Sequence, residues 1–412
     1  MDPCSGLRYV QRNIVPLNGP LVAPSLPLGT GGILTVTALS AVGATGYGTL
    51  APAMAELAAA YQVSEAAVGL LQGVIAVPGI VLTVALGGLS DRLGRGRVAL
   101  GCLLLFSVAG TACALVDSFG TAVALRAVQG IGFAGLLTIP PTVIGETLTG
   151  AARQRGLAVN TFVLTTASTV GPMAGGAVAS LGDPRAAFWL YALGALLVPG
   201  TVRVLGLGPG RRPTRGHRSA RLLADLRRVG ELRTVVGALT LTTVVIGLMT
   251  AATAAMLPLA LDRVFEVPLA ARGLLVGLGN VGSLVASAAL ALLAGRTADR
   301  HVARIGLGLC AVSLLLTAAA PAVWVVAVAV VLLGVGVGCA YNASVHAVSR
   351  QPVDGRGMLI GAWSASSRLG QSTGPAVGAL LVGVVGPMAA FSVGGAAAAV
   401  ALVALTAAGR RR

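Results

Sequence analysis

Gly87-Gly88-Leu89-Ser90-Asp91-Arg92-Leu93-Gly94-Arg95-Gly96-Arg97 places a cluster of charge between two long apolar runs, 66–88 and 98–116. A bilayer crossing needs about 20 apolar residues. Each flanking run is long enough to cross, and the charged stretch is short enough to be a turn at one membrane face. Further runs of this kind lie at 32–54, 119–143, 157–180 and 186–206. After a polar gap they resume at 234–258, 270–294, 304–321, 323–347, 358–384 and 387–407, with Pro321 as the turn inside the 304–347 stretch. The expected fold class is an all-α integral membrane protein with twelve transmembrane helices in two six-helix bundles.

Composition agrees with this reading. Hydrophobic residues make up 56% of the 412-residue chain and charged ones 10%, with a mean hydropathy of +0.89. Soluble domains carry about 25% charge, so lipid is the expected solvent. The 58 glycines follow no G-X-Y period, which excludes collagen, and they suit close packing of membrane helices. A net charge of +16 raises the question of nucleic acid. Such a binder would gather its cations on one face with interleaved aromatics; here aromatics are only 4%, and the cations, all arginine, sit in short clusters between apolar runs. No nucleic-acid partner is expected. Cys4, Cys102, Cys113, Cys310 and Cys339 form no CxxC pair, and no disulfide or metal role is assigned to them.

The arginines set the topology. With both termini on the inner side, 24 of the 29 fall in inner segments, three (Arg185, Arg263, Arg272) in outer loops and two (Arg126, Arg368) within spans, a strong positive-inside bias. The expected organisation is a cytoplasmic tail at 1–30, a six-helix half at 31–206, a cytoplasmic Arg-rich linker at 207–233, a second half at 234–408 and a tail at 409–412. The first apolar run is too long for a signal peptide, so it is read as a retained helix. Within the linker, Ala220–Leu232 is either a surface-lying amphipathic helix or plain solvated chain.

The halves also echo one another. GRTADRHVAR (Gly295–Arg304) repeats GGLSDRLGRGR at an offset of 208 residues, and GPAVGA (Gly374–Ala379) repeats GPMAGG (Gly171–Gly176) at an offset of 203. Nearly equal offsets are what duplication of a six-helix unit gives. Repeated bundles of this kind are a transporter architecture with the substrate site between halves.

On these residues the chain resembles the major facilitator superfamily, and within it the drug:proton antiporter branch. Gly87–Arg97 resembles that family's loop motif between helices two and three. Arg126-Ala127-Val128-Gln129-Gly130 resembles its helix-four RxxQG motif, and Gly171-Pro172-Met173-Ala174-Gly175-Gly176 its helix-five GPxxGG motif. The resemblance implies two pseudo-symmetric bundles of the major facilitator fold. It implies a gate group of Gly87, Asp91, Arg92, Gly94, Arg95 and Glu146 that latches the inner side and breaks on rocking. It also implies a coupling group of Arg126, Gln129 and Gly130, and an export motif of Gly171, Pro172, Gly175 and Gly176.

Each motif has a physical reading beside the family one. Asp91 can accept hydrogen bonds at a facing helix N-terminus, or the charges can simply anchor the loop in the headgroups. Arg126 lies inside a span, where a charge costs about 2.5–3.5 kcal/mol on insertion scales. It serves either coupling or anion binding, or a hydrogen-bond hub. Gly171 and Gly175 share a helix face and permit close backbone approach, while Pro172 removes a donor and bends the helix.

Polar residues in the inner-facing helices, Tyr47, Gln72, Asn160, Asn280, Tyr341, Asn342, Trp363, Arg368 and Gln371, are candidates for a substrate cavity. An apolar pocket with few polar groups suits amphipathic organic molecules. No acidic residue lies deep in a span, so no buried proton carrier is visible. His346 is read as a hydrogen-bonded packing residue. Two GxGxxG matches, Gly130–Gly135 and Gly277–Gly282, lie inside spans and read as packing glycines. With no lysine there is no phosphate-binding loop, and neither a metal cluster nor a nucleophile–base pair appears, so an enzyme is not expected.

The leading expectation is a monomeric, multi-pass transporter of the cell membrane. It exports a small organic substrate by proton antiport, with no cofactor beyond the proton gradient and with the lipid bilayer as its surroundings. Uptake or facilitated diffusion on the same fold is the alternative, and a non-transporting sensor or scaffold the reading from another class.

Overall fold

The structure is a computed structural model and describes residues 29–208, 232–292, 298–350 and 356–410. The tail at 1–28, most of the 207–233 linker with the amphipathic stretch read there, and residues 411–412 lie outside the described residues, as do Gly295 and Arg296 of the second loop motif. Regular structure among the described residues is all helical. The first half holds α1 (Thr30–Ala60), α2, α3 (Arg95–Leu115), α4 (Phe119–Thr147), α5 (Gly150–Ala179) and α6 (Pro184–Leu205). The second half holds α7 (Arg233–Arg263), α8 (Leu269–Leu292), α9 (Asp299–Ala318), α10 (Val323–Ser349), α11 (Arg356–Val385) and α12 (Pro387–Arg410). Helix α2 joins Glu65–Gly73 to Val77–Leu93 through a 3-10 turn, Val74–Ala76, at the site where Pro78 removes a helical donor.

Eleven of these helices are long and apolar enough to cross a membrane. All twelve expected helices are present; the remaining one, α11, is 30 residues long and more polar, carrying Ser364, Ser366, Ser367, Arg368, Gln371, Ser372 and Thr373. Its polarity fits a helix set between α7 and α2 rather than one bathed in lipid. Several helices outrun their apolar cores, because polar turns continue them beyond the hydrocarbon. Large apolar side chains such as Val81, Val108, Leu181, Val400 and Val403 are exposed, as lipid contact requires.

Buried side chains form two main clusters. One runs from Val36 to Tyr191, the other from Val245 to Ala398, with only Ala51, Ala255 and Ala379 crossing between them. Helix starts follow ordinary capping chemistry: Ser64 Oγ accepts from Ala67 N at 3.3 Å and Ser118 Oγ from Thr121 N at 3.4 Å. Between α2 and α3 the turn is the single residue Gly94, with φ +98°, a conformation that glycine adopts without strain.

The chain alternates between two faces. One carries Arg92, Arg95, Arg97, Arg153, Arg155, Arg203, Arg300, Arg304 and Arg350 and is the Arg-rich end; the other carries Arg185, Arg263 and Arg272 and is the Arg-poor end. The halves meet from the Arg-poor end to mid-depth. There α5 meets α8, where a Cβ on Gly273 would stand 2.4 Å from Pro172 O, and α2 meets α11, where one on Gly69 would stand 2.7 Å from Pro375 O. Toward the Arg-rich end no described glycine makes such an approach across the halves: Gly145 and Gly156 meet only side chains of their own half, and Gly87 and Gly88 have no neighbour within 4 Å. Close packing between the halves is thus confined to the Arg-poor end and mid-depth.

Candidate functional site

Between the halves lies a cavity of about 460 Å³, walled by α1, α4 and α5 on one side and α7, α8, α10 and α11 on the other. Of the residues expected there, Tyr47, Asn280, Tyr341, Asn342 and Gln371 line it. Two of them bind across the halves: Tyr47 Oη donates to Gln371 O at 2.9 Å, and Asn280 Nδ2 to Ser168 O at 3.0 Å. Asn342 Nδ2 donates to Ser287 Oγ at 3.1 Å within the second half.

Four of the expected cavity residues are not among its walls. Asn160 is buried, and its Oδ1 accepts from Ser40 Oγ at 2.8 Å, tying α5 to α1. Gln72 is buried and donates to Tyr47 O. Trp363 donates from Nε1 to Ser344 Oγ at 3.0 Å and stacks against Tyr341 at 4.7 Å, outside the walls. Arg368 stands behind Phe133 and Gln371. Helix direction, which polarity alone does not give, turns Asn160, Gln72 and Trp363 away, while Arg368 lies directly against the wall residues Phe133 and Gln371. The walls also include Thr161, Thr165, Ser168, Thr250, Thr253, Ser283, Ser287 and Ser367. A period-four run of hydroxyls on α5 (Thr161, Thr165, Thr169) was the available signal, but many such groups back-bond to their own helix, as Thr161 does to Leu157 O at 3.0 Å. Beside Thr253 and Ala254, α7 widens into a π turn, Ala252–Met256.

Arg126 is fully buried. It donates from Nη1 to Gln129 Oε1 at 2.8 Å and Tyr191 Oη at 3.3 Å, from Nη2 to Gly46 O at 3.1 Å and from Nε to Leu71 O at 3.3 Å. It therefore binds α1, α2, α4 and α6 into one unit, with neutral acceptors throughout. Gly130 lets α2 approach: a Cβ there would lie 2.4 Å from Ile75 O.

The GPMAGG motif faces two helices at once. A Cβ on Gly175 would lie 1.8 Å from Thr49 O of α1, one on Gly171 3.3 Å from Thr49 Oγ1, and one on Gly176 2.8 Å from Leu269 O of α8. Its counterpart in α11 does the same, with Gly374 and Gly378 against α7 and Pro375 against Gly69 of α2. Both motifs thus sit on the seam where the halves close.

At the Arg-rich end, Arg95 Nη2 meets Asp91 Oδ1 at 2.6 Å and Glu146 Oε1 at 2.7 Å, while its Nε donates to Glu146 Oε2 at 3.3 Å. Arg95 also donates to Ser90 Oγ. Arg92 is exposed at the helix end. This network lies wholly inside the first half. In the second half Asp299, which aligns with Asp91 at the loop-motif offset of 208 residues, meets Arg350 at 3.4 Å. His346 is exposed, with Nδ1 3.6 Å from Asp299 Oδ1, so it is a surface polar neighbour and not the packing residue expected.

The sequence reading missed the cross-half charges of the Arg-poor end. Arg272 donates from Nη1 to Glu56 Oε1 at 2.8 Å and from Nη2 to Asp262 Oδ1 at 2.5 Å, and Arg263 pairs with Glu65. Arg272 is nearly buried. The signal available was the rarity of arginine at that end, where each one has a carboxylate partner.

A family model described as Major Facilitator Superfamily matches residues 36–235 and 239–412. Among curated relatives, Protein spinster of Drosophila melanogaster is 29% identical over 186 residues, 44% of this chain and 30% of that protein. Multidrug transporter AQR1 of Candida glabrata is 32% identical over 108 residues, 26% of this chain and 18% of that protein. The matches span less than a third of these relatives' length. The solved structure of a mutant of the nucleoside transporter NupG superposes with a TM-score of 0.73 at 14% identity, covering 91% of this chain and 99% of that one. At that identity the likeness is one of fold.

Proposed function

The chain belongs to the major facilitator superfamily, and from that premise we propose that it exports small organic compounds by alternating access, in exchange for protons. The observation that carries this reading is the cavity between halves whose close packing is confined to the Arg-poor end and mid-depth. The positive-inside rule favours an Arg-rich end on the cytoplasmic side, and in that orientation the cavity would load from inside the cell membrane. The export direction draws on the multidrug transporter among its relatives and on the GPxxGG motif at the seam. The protein acts as a monomer, since the cavity is completed by one chain.

For the exchanged proton, the described carboxylates best placed are those that hold the closed end: Glu56, Glu65 and Asp262. A proton arriving from outside would neutralise a partner of Arg272 or Arg263 and weaken closure. Asp91 and Arg95 belong to a network internal to the first half, and a gating role for them rests on the resemblance of the loop motif. Arg126 and Gln129 hold the first half rigid while it moves.

The test is flux of a compound panel in proteoliposomes of known orientation, with and without a proton gradient. Uphill movement out of the Arg-rich side, driven by acid on the Arg-poor side, is expected. Equal flux without the gradient removes the antiport reading, and accumulation in the opposite sense removes export.

A further inference from the structure

Two arginines lie within the spanning helices, and the fold treats them differently. Arg126 has four oxygen acceptors at 2.8–3.3 Å. Arg368 is only 5% exposed, yet its one hydrogen bond among the described residues runs from Nη1 to Gln371 Oε1 at 3.5 Å. Its guanidinium carbon otherwise rests 4.5 Å from the centre of the Phe133 ring, a cation–π contact that answers part of the charge and none of the N–H donors. A guanidinium has five such donors. None of the Arg368 nitrogens is among the buried side-chain atoms sealed off without a partner, so its unmet donors reach open space, and an ionisable group held at membrane depth in this way marks a functional site.

The surroundings of Arg368 are uniformly short of negative charge. The cavity walls contain no aspartate or glutamate. The described carboxylates stand at helix ends: Glu56, Glu65, Asp117, Asp183, Asp262 and Glu266 at the Arg-poor end, Asp91, Glu146 and Asp299 at the Arg-rich end. Both groups that Arg368 touches, Phe133 and Gln371, are wall residues, as is its neighbour Ser367. Gly79 makes room for the arginine stem, since a Cβ there would lie 3.2 Å from Arg368 Cδ. A cation entering this cavity would meet repulsion with no carboxylate to offset it. An anion would find a planar donor fork matched to a carboxylate or sulfonate.

We infer that Arg368 and Gln371 form an anion-binding subsite in the wall of the central cavity, and that the compounds it takes are amphipathic organic anions, a carboxylate or sulfonate on an apolar body, rather than lipophilic cations. The apolar body would lie along Phe133, Leu137 and Met249, which line the same space. The inference rests on the transport reading above, so binding is measured apart from flux.

The probes are 1-naphthoate, its neutral amide 1-naphthamide and the cation 1-naphthylmethylammonium, titrated against the purified full chain. The expected result is a wild-type preference for naphthoate of about tenfold or more over the amide, and no measurable binding of the ammonium. Arg368→Gln should weaken naphthoate by at least about tenfold (about 1.4 kcal/mol) and leave naphthamide within about twofold. Arg368→Lys should keep the preference for the anion at reduced strength, and it replaces the glutamine variant if that one does not fold. Ammonium binding as tight as naphthoate, equal losses of naphthoate and naphthamide, an unchanged preference in Arg368→Gln, or no binding of any probe would each overturn the subsite. Arg368-dependent naphthoate binding without flux in proteoliposomes would uphold the subsite and remove the transport reading instead.

Discussion

Arg272 of α8 donates to Glu56 of α1 at 2.8 Å, so a nearly buried guanidinium bolts the second half to the first at the Arg-poor end. The same arginine is held by Asp262 of its own half, and Arg263 reaches Glu65 of α2 beside it. The Glu56 and Glu65 contacts cross the seam, whereas the Asp262 contact lies within the second half.

Arg272→Gln is therefore expected to favour opening of the Arg-poor end. The side chain of Arg272 is 8% exposed and that of Glu56 29%, so the loss is set at about 2 kcal/mol, below the 3–5 kcal/mol of a fully buried pair. Spin labels at Gln62→Cys and Val384→Cys, on a background without the native cysteines, should report a longer distance. The double variant Glu56→Arg with Arg272→Glu should bring it back toward the wild-type value. An unchanged distance in Arg272→Gln would show that glycine packing alone holds the seam.

Replacing Arg126 tests stability rather than gating. Arg126→Ala strands the oxygens of Gln129, Tyr191, Gly46 and Leu71 in a buried site, at about 1–3 kcal/mol for each acceptor left unmet. Arg95→Ala removes a partly exposed pair worth about 0–1 kcal/mol. Thermal unfolding in detergent should show a much larger loss for the first. Equal losses would contradict the hub.

Glycines of α2 and α5 should separate stability from motion. Gly175→Ala places a Cβ 1.8 Å from Thr49 O, an overlap that backbone must move to relieve, and protein yield should fall. Gly87→Ala meets open space in this conformation, so melting should be unchanged. If the Arg-rich end closes during transport, flux should still drop. Full flux in Gly87→Ala would mean that α2 is not packed there in any state.

Asp91→Asn removes one of two carboxylates from Arg95 and leaves the Glu146 contact. Stability should change by less than about 1 kcal/mol, because Asp91 is 42% exposed. Since the pair lies inside one half, its loss alone does not shift the balance between conformations. A large drop in efflux, with normal membrane insertion, would place Asp91 in the conformation that closes the Arg-rich end. Unchanged efflux would reduce it to a headgroup anchor.

Much of this was legible in the sequence. Apolar runs placed the helices, arginine spacing divided the two faces, and the paired GP motifs marked points of close helix approach without saying which helices meet there. The cavity was half legible: Tyr47, Asn280, Tyr341, Asn342 and Gln371 are polar and line it, whereas Asn160 and Gln72 are equally polar and tie helices together. Helix rotation decides between those fates, and a run such as α10, apolar on all sides, carries little rotational signal. Pairs separated by far more than a helical turn in sequence, such as Glu56 with Arg272, leave no local trace at all. The weak satisfaction of Arg368 belongs to the same class, since only the positions of its neighbours reveal what its donors lack.

The ion pairs Arg95–Glu146 and Asp299–Arg350, each inside one half, have a thermodynamic consequence. Each is contained in one half, so it contributes equally to both ends of the conformational equilibrium and cancels from the difference. Only the pairs that span the seam survive in that difference, and they stand at one face. Screening by salt acts on charges that solvent can reach. The balance between conformers should thus respond to ionic strength in the solution bathing the Arg-poor face and be nearly indifferent to salt on the other side.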